Sequence, residues 1–227
     1  MIEYENLKKV NNPFFESFKI EFEKILESGW YILGENVEIF EKDFAFFIGT
    51  NHCIGLASGL DALTLALRCL EFPIGSEVIV PSNTYIATIL SIIQNGLKPV
   101  LVEPDINSYN IDVTKIQEKI TKNTRAIMLV HLYGKCCKMD AIMKIAKDNN
   151  LRVIEDCAQS HGAKFKGRRS GNFGDFGAHS FYPTKNLGAL GDAGALTTNN
   201  GQYSDKVRAL RNYGSKVKYE NEFVGCN

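Results

Sequence analysis

The sequence predicts an α/β protein built on a mostly parallel, seven-stranded sheet between helices. Three observations predict it. Seven short apolar, β-branched runs follow residue 50: CIGLAS, EVIVPS, KPVLVEP, RAIMLVHL, RVIEDCA, FGAHSFY and GALTTN. Helical patterns (GLDALTLALRCLE, TYIATILSIIQNG, VTKIQEKIT and KMDAIMKIAKDNN) fill most of the gaps between them. The runs are apolar throughout instead of alternating, which marks strands covered on both faces.

Two amphipathic helices are expected first. PFFESFKIEFEKILESG places Phe14, Phe15, Phe18, Phe22, Ile25 and Leu26 on one helical face, and Gly29 ends it. ENVEIFEKDFAFFIG repeats the pattern from 35 to 49. In GLDALTLALRCLE, Leu60, Leu63, Leu67 and Leu70 share a face. FGAHSFY and GALTTN are too close for a crossover helix, so one of them is expected to run antiparallel. QYSDKVRALRNYG then carries the chain out of the sheet as a last helix. No repeat, low-complexity tract or Pro/Gly/Ser-rich linker divides the chain.

Composition excludes several function classes. The 227 residues carry 26 basic and 26 acidic side chains, so no basic field favours nucleic acid. No apolar run approaches the roughly 18 residues of a membrane span. MIEYENLKKVNNPF lacks the basic-then-apolar order of a secretion signal, and a cytoplasmic location is expected. The six cysteines form no C-x-x-C pair and His52, His131, His161 and His179 have no ligand spacing, so no structural metal is expected.

In such sheets ligands gather beyond the carboxyl ends of the strands. That rule selects Ser58-Gly59, Pro81 to Tyr85, His131, Asp156 to His161 and Ser180 to Lys185. Ser58-Gly59 opens a helix after a strand, where free N–H groups and the helix dipole favour a phosphate. Ser58 as a simple helix cap is the plainer reading of that stretch alone. Asp156 ends a buried strand, where a bare carboxylate is costly unless paired. A protonated ring nitrogen would serve as partner, as would an arginine or backbone N–H groups. Lys185 lies in HSFYPTKNLGALGDAGAL among aromatic and small residues, with Asp192 the one other charge nearby. An amine losing hydration in such a setting becomes nucleophilic. A phosphate site, a buried aspartate and this lysine together describe a pyridoxal-phosphate site.

The stretches ASGLDALTLAL, EVIVPSNTYIAT, VEPD, HLYGK, VIEDCAQSHGA, GDFGAHSFYPTKNLGALGDAGAL and LRNYGS resemble the DegT-type nucleotide-sugar aminotransferases. Within that family the sequence looks most like enzymes aminating C3 of dTDP-3-keto-6-deoxyhexoses. The resemblance implies the large domain of a fold type I transferase dependent on pyridoxal 5'-phosphate. Pyridoxamine 5'-phosphate is the form carried between the two halves of the reaction. By motif, Lys185 carries the cofactor and then moves the proton, and Asp156 pairs with the pyridinium nitrogen. Gln159 reaches the phenolic oxygen, while Ser58, Gly59 and Ser180 hold the phosphate. Tyr85 stacks on the ring, a packed core aromatic being the plainer alternative. His161, Tyr182, Asn186 and Tyr213 are candidate substrate residues, and the glycines after Lys185 are expected to leave room for a bulky sugar nucleotide. L-Glutamate is the expected amino donor, and a surface polysaccharide such as O-antigen the expected destination of the amino sugar.

The family continues into a smaller C-terminal domain, absent from these 227 residues. Residues 1–34 are then an N-terminal helical segment and 35–227 the cofactor domain. The final GCN implies a homodimer with shared active sites, in which the partner's Asn227 completes the phosphate shell. Trp30, Tyr31, Phe44, Phe46 and Phe47 are candidate interface residues, with capping of the sheet the even alternative. Dehydratase relatives carry a histidine where this chain has Lys185, which argues against dehydration. Amination at C4 of a UDP- or GDP-linked sugar stays open, as does a truncated, non-catalytic fragment.

Overall fold

The computed structural model describes residues 5–217 and 220–227. The first four residues, part of the stretch compared with a secretion signal and of the expected 1–34 segment, lie outside the described residues. Helices α1 (Leu7–Asn11) and α2 (Phe15–Ser28) lead into α3 (Glu35–Ile48). Gly29 and Gly49 end α2 and α3 in the left-handed conformation that glycine adopts without steric cost.

The seven apolar runs are the seven strands of one sheet: β1 (His52–Leu56), β2 (Glu77–Pro81), β3 (Lys98–Val102), β4 (Thr124–Val130), β5 (Arg152–Asp156), β8 (Phe176–Ser180) and β9 (Gly194–Thr198). The intervening hairpin β6 (Lys164–Phe165) and β7 (Arg168–Arg169) stands apart from the sheet. Strand order is β1-β9-β8-β5-β4-β2-β3, and β9 alone runs antiparallel to its neighbours. Helices α4 (Gly59–Leu70), α5 (Ile86–Gln94) and α7 (Gly201–Leu210) cover one face; α6 (Met139–Asp148) and α3 cover the other. The short hairpin β10 (Ser215–Val217) and β11 (Glu220–Asn221) follows α7.

Period-two alternation divides the core. Ala126, Met128, Ile154, Phe176 and Ala178 pack under α4 and α5, while Ile127, Leu129 and Val153 pack against α6. Helix α4 is more deeply sunk than its leucine stripe predicts: Ala62, Leu65, Ala66 and Cys69 are buried along with Leu63 and Leu67. It lies between the sheet and the helices α5 and α7, so more than one face meets apolar neighbours.

The sequence pattern fails at VTKIQEKIT, which forms two 3-10 turns, Val113–Lys115 and Gln117–Lys119, and no α-helix. Asp112 caps the first turn through Thr114 N–H at 3.0 Å, and Ile116 is driven fully into the core. The tail of the stretch is drawn off as well, because the Thr121 hydroxyl donates to Glu77 Oε2 at 2.6 Å. Helix α3 is anchored by Glu41, which is buried, accepts from Gly55 N–H at 2.8 Å and pairs with Arg208 at 2.6 Å and Arg211 at 2.5 Å. That ties α3, β1 and α7 together. Phe44 is a core residue against Phe40 and Phe181, whereas Trp30, Tyr31 and Phe46 stand exposed.

Candidate active site

Four chain segments converge above the carboxyl ends of β1, β2, β5 and β8. They line a cavity of about 750 Å³ that includes Ser58, Gly59, Tyr85, Asp156, Gln159, Ser180, Tyr182 and Lys185.

Ser58 does cap α4, its hydroxyl oxygen accepting from Asp61 N–H at 3.1 Å. Gly59, Leu60 and Asp61 of that first turn, whose N–H groups have no partner within the helix, line the cavity. Here the backbones of three segments meet closely. A Cβ on Gly59 would stand 2.6 Å from Ser180 Cβ, and one on Gly194 would overlap the Ser58 carbonyl. Only glycine permits the α4 start, the β8 end and the β9 start to close on one another.

Asp156 is 6 % exposed and, among the described residues, forms no ion pair with an arginine. Its Oδ2 accepts from the Thr88 hydroxyl at 2.8 Å and its Oδ1 from Ala158 N–H at 3.1 Å. Burial raises its pKa above the usual carboxylate range, partly offset by those two donors and by the Lys185 and His131 charges. Gln159 is oriented through Oε1, which accepts from Tyr133 N–H at 2.9 Å.

Lys185 rides on the excursion between β8 and β9 and is half-buried. Its Nζ makes no hydrogen bond or ion pair among the described residues, which leaves the amine free toward the cavity. The excursion is pinned by Phe181 N–H to Ala193, Ala189 N–H to Phe181 and Lys185 N–H to Tyr182, each at 2.8 Å. Gly188 serves this turn, since a Cβ there would strike the Pro183 carbonyl. With Gly194 packed on Ser58, two of the three glycines answer the chain's own packing, while a Cβ on Gly191 would meet nothing within 4 Å.

Tyr85 precedes α5 and is 75 % exposed at the cavity, so the packed-core alternative does not hold. Three expected substrate residues do not line this cavity. His161 lies beneath it against Phe181, with ring centroids 5.4 Å apart; among the described residues its buried ring nitrogens make no well-formed hydrogen bond, a weak approach to the Ser180 backbone being the nearest polar contact. Burial, then the Lys185 charge, pushes its pKa down to about 4. Asn186 is exposed on the excursion, and Tyr213 is exposed beyond α7. Asn227 lines a neighbouring apolar cavity of about 540 Å³, with Phe40, Leu56 and Arg211. The two cavities share Ala57, Asp61 and Ala193.

Sequence reasoning placed Thr84 in the selected stretch Pro81 to Tyr85 without giving it a role, and missed Thr88. Their hydroxyls are 2.7 Å apart, one turn apart at the start of α5. The i, i+4 threonine pair in EVIVPSNTYIAT was the available signal.

Among the described residues, His131, Glu155 and Cys157 form a buried cluster on the other face of the sheet. Its donors are already engaged. Glu155 accepts from Gly171, Phe173 and Gly174 N–H at 2.9, 2.6 and 2.8 Å and contacts His131 Nε2 at 3.0 Å. Burial holds the Cys157 thiol far above its ordinary range.

Comparison with known proteins agrees with this geometry. The family model described as DegT/DnrJ/EryC1/StrS aminotransferase family matches residues 15–227. The chain is 57% identical, over all 227 residues, to a protein of Aneurinibacillus thermoaerophilus named dTDP-3-amino-3,6-dideoxy-alpha-D-galactopyranose transaminase. It covers 62% of that relative's length. A Streptomyces venezuelae protein named dTDP-3-amino-3,4,6-trideoxy-alpha-D-glucose transaminase is 47% identical over 90% of this chain and 54% of its own. Among solved structures, S. venezuelae DesV in complex with a ketimine intermediate superposes with a TM-score of 0.97 at 43% identity. That match covers 100% of this chain and 61% of DesV.

Proposed function

The chain belongs to the DegT/DnrJ/EryC1/StrS aminotransferase family, and from that premise we propose that it forms the cofactor domain of a sugar-nucleotide aminotransferase. The reaction moves the amino group of L-glutamate to the keto carbon C3 of a dTDP-3-keto-6-deoxyhexose. The products are 2-oxoglutarate and a dTDP-3-amino-3,6-dideoxyhexose for a surface polysaccharide such as O-antigen. The convergence of Lys185, Asp156 and the Gly59–Ser180 contact on one cavity carries the reading. The names of the two transaminase relatives, both of dTDP-3-amino sugars, favour C3 and dTDP over C4 amination of UDP- or GDP-linked sugars.

The residues present fit pyridoxal 5'-phosphate. The helix start at Ser58-Gly59, closed by Ser180, offers N–H and hydroxyl donors to a phosphate. The buried Asp156 offers a fixed negative charge to a protonated ring nitrogen, with Gln159 and Tyr85 flanking the same space. Bound there, the cofactor supplies an electron sink for charge developing on the amino donor's Cα. The chain's own part is to hold, orient and move protons. Lys185 Nζ, free of partners, carries the cofactor and then shuttles one proton as base and acid. Asp156 stays fixed at both oxygens, so its charge needs no reorganisation during turnover. Tyr182, exposed at the cavity, meets the sugar side.

We take residues 1–34 as a helical segment outside the cofactor domain, 35–227. Helices α1 and α2 bury no residue, and Phe14, Phe22, Leu26, Trp30 and Tyr31 are exposed beside them. Such an apolar stretch suits a homodimer that shares its active sites, with Asn227 of the partner subunit at the phosphate. Among the described residues no helix is long and apolar enough to cross a membrane.

The test is amination of a panel of dTDP-, UDP- and GDP-linked keto sugars with L-glutamate, the product position read by NMR. A 3-amino dTDP sugar is expected, and a 4-amino product overturns the C3 assignment. Cofactor binding without turnover on any sugar supports the fragment reading. Sedimentation checks the assembly: a monomer that keeps tight cofactor binding at micromolar concentration refutes the shared site.

A further inference from the structure

We propose that Thr84 and Thr88 form a directed hydroxyl relay whose task is to fix the Asp156 carboxylate, Thr88 acting as its positioning residue. This rests on the proposed reading of Asp156 as the partner of a cationic cofactor ring.

Geometry sets the direction of the relay. Thr88 is fully buried and its hydroxyl lies 2.8 Å from Asp156 Oδ2. An ionised carboxylate only accepts, so Thr88 spends its one hydroxyl proton there. The Thr84–Thr88 contact, 2.7 Å, could run either way by distance alone. With the Thr88 proton committed, Thr84 must donate. Thr84 lines the cavity, so the relay runs from the cavity wall through the first turn of α5 to the carboxylate. Ala158 N–H holds the other oxygen at 3.1 Å. The side chain is therefore gripped from two elements, α5 and the turn after β5.

Such a grip matters because burial works against the charge on Asp156, and the hydroxyl is one of the two donors that oppose it. The other groups facing the carboxylate are Lys185 from the excursion after β8 and His131 at the end of β4, both favouring ionisation. Asp61 of α4 and Asp192 share the cavity, and the Cys157 thiol and Glu155 are its chain neighbours. No guanidinium is among them. Removing one donor from a carboxylate this poor in partners should be felt directly.

The test compares wild type with Thr88→Val, which keeps the branched shape, Thr88→Ser, which keeps the hydroxyl, and Thr84→Val. Two quantities are read: the Asp156 titration midpoint by ¹³C NMR of the cofactor-free protein, and affinity for pyridoxal 5'-phosphate. Thr88→Val should raise the midpoint by about one unit and weaken the cofactor about tenfold. Thr88→Ser should stay near wild type, and Thr84→Val should move both quantities less, in the same direction. A Thr88→Val protein that titrates and binds as wild type overturns the proposal. So does a Thr88→Ser protein as impaired as Thr88→Val, since packing by the methyl would then explain the effect. Should Thr88→Val not fold, an unchanged Asp156 midpoint in Thr84→Val overturns the relay, and a raised one supports it. Failure of wild type to bind the cofactor would refute the functional reading instead, while the titration still tests the relay.

Discussion

Glu155 and Asp156 are consecutive on β5, yet their buried carboxylates face opposite sides of the sheet and hold different things. Glu155 gathers the N–H groups of Gly171, Phe173 and Gly174, fixing the loop ahead of β8. Asp156 takes two donors among the described residues and faces the cavity. The saturated carboxylate is structural; the under-supplied one has capacity left for a ligand's positive charge. Strand alternation alone separates the two roles.

Borohydride reduction of the cofactor-loaded protein should fix the cofactor to Lys185, identified by peptide mapping. Lys166, bound to Asp140 at 2.7 Å, and Lys164 on the outlying hairpin are the nearby lysines in sequence. A label on either one overturns the assignment.

Asp156→Asn should keep the fold and lower turnover by about a hundredfold or more, because an amide cannot balance a ring cation. Stability moves the other way. The folded pKa of Asp156 is raised, so the stability linked to its proton is present below the unfolded value and lost as pH rises through the folded one. The cofactor-free variant should therefore melt above wild type at pH 7. The two should converge below about pH 4, where the unfolded carboxyl is itself protonated. Calorimetry across that range checks it.

Gly59→Ala should cost at least about tenfold in cofactor affinity, since its methyl would enter the space of the Ser180 side chain where the phosphate donors meet. Gly191→Ala is the matched control, because a Cβ there meets nothing within 4 Å. Equal affinity of both variants, measured by titration with pyridoxal 5'-phosphate, would remove the helix start from the site.

His161→Phe should be no less stable than wild type at neutral pH, for among the described residues neither ring nitrogen makes a well-formed hydrogen bond and the ring packs on Phe181. The folded pKa, about 4, lies below the unfolded one, so stability present above about 6.5 is lost as pH falls toward 4. The variant should lack that share of acid sensitivity, about 1.4 kcal/mol per pH unit inside the window. Denaturant titrations at pH 7 and pH 5 give the comparison; equal losses in both proteins would place the acid sensitivity elsewhere, His179 being the next candidate.

The sheet was legible because burial on both faces makes each strand a plain apolar run, as EVIVPS and RVIEDCA show. VTKIQEKIT misled because Ile116 and Ile120 have helical spacing, while the Asp112 cap and the pull of Glu77 on Thr121 favour tighter turns. Strand-end reasoning found Ser58, Asp156, Ser180 and Lys185 as cavity residues. It also selected His161, which lies in the right loop but turns beneath the cavity, a matter of side-chain direction that chain order does not encode. Thr88 escaped notice because a hydroxyl inside an apolar helix reads as filler until its carboxylate partner is known.

The edge strand β1 pairs with β9 alone. During synthesis the N-terminal half emerges first, yet Ser58 and Gly59 gain their contacts with Ser180 and Gly194 only once residues 194–198 leave the ribosome and β9 slots between β1 and β8. The β5, β4, β2, β3 block can assemble earlier, carrying Asp156 and Thr88 with it. The nascent chain can thus build the Asp156 side of its cavity before the Ser58–Gly59 side, and β9 is the strand that completes it.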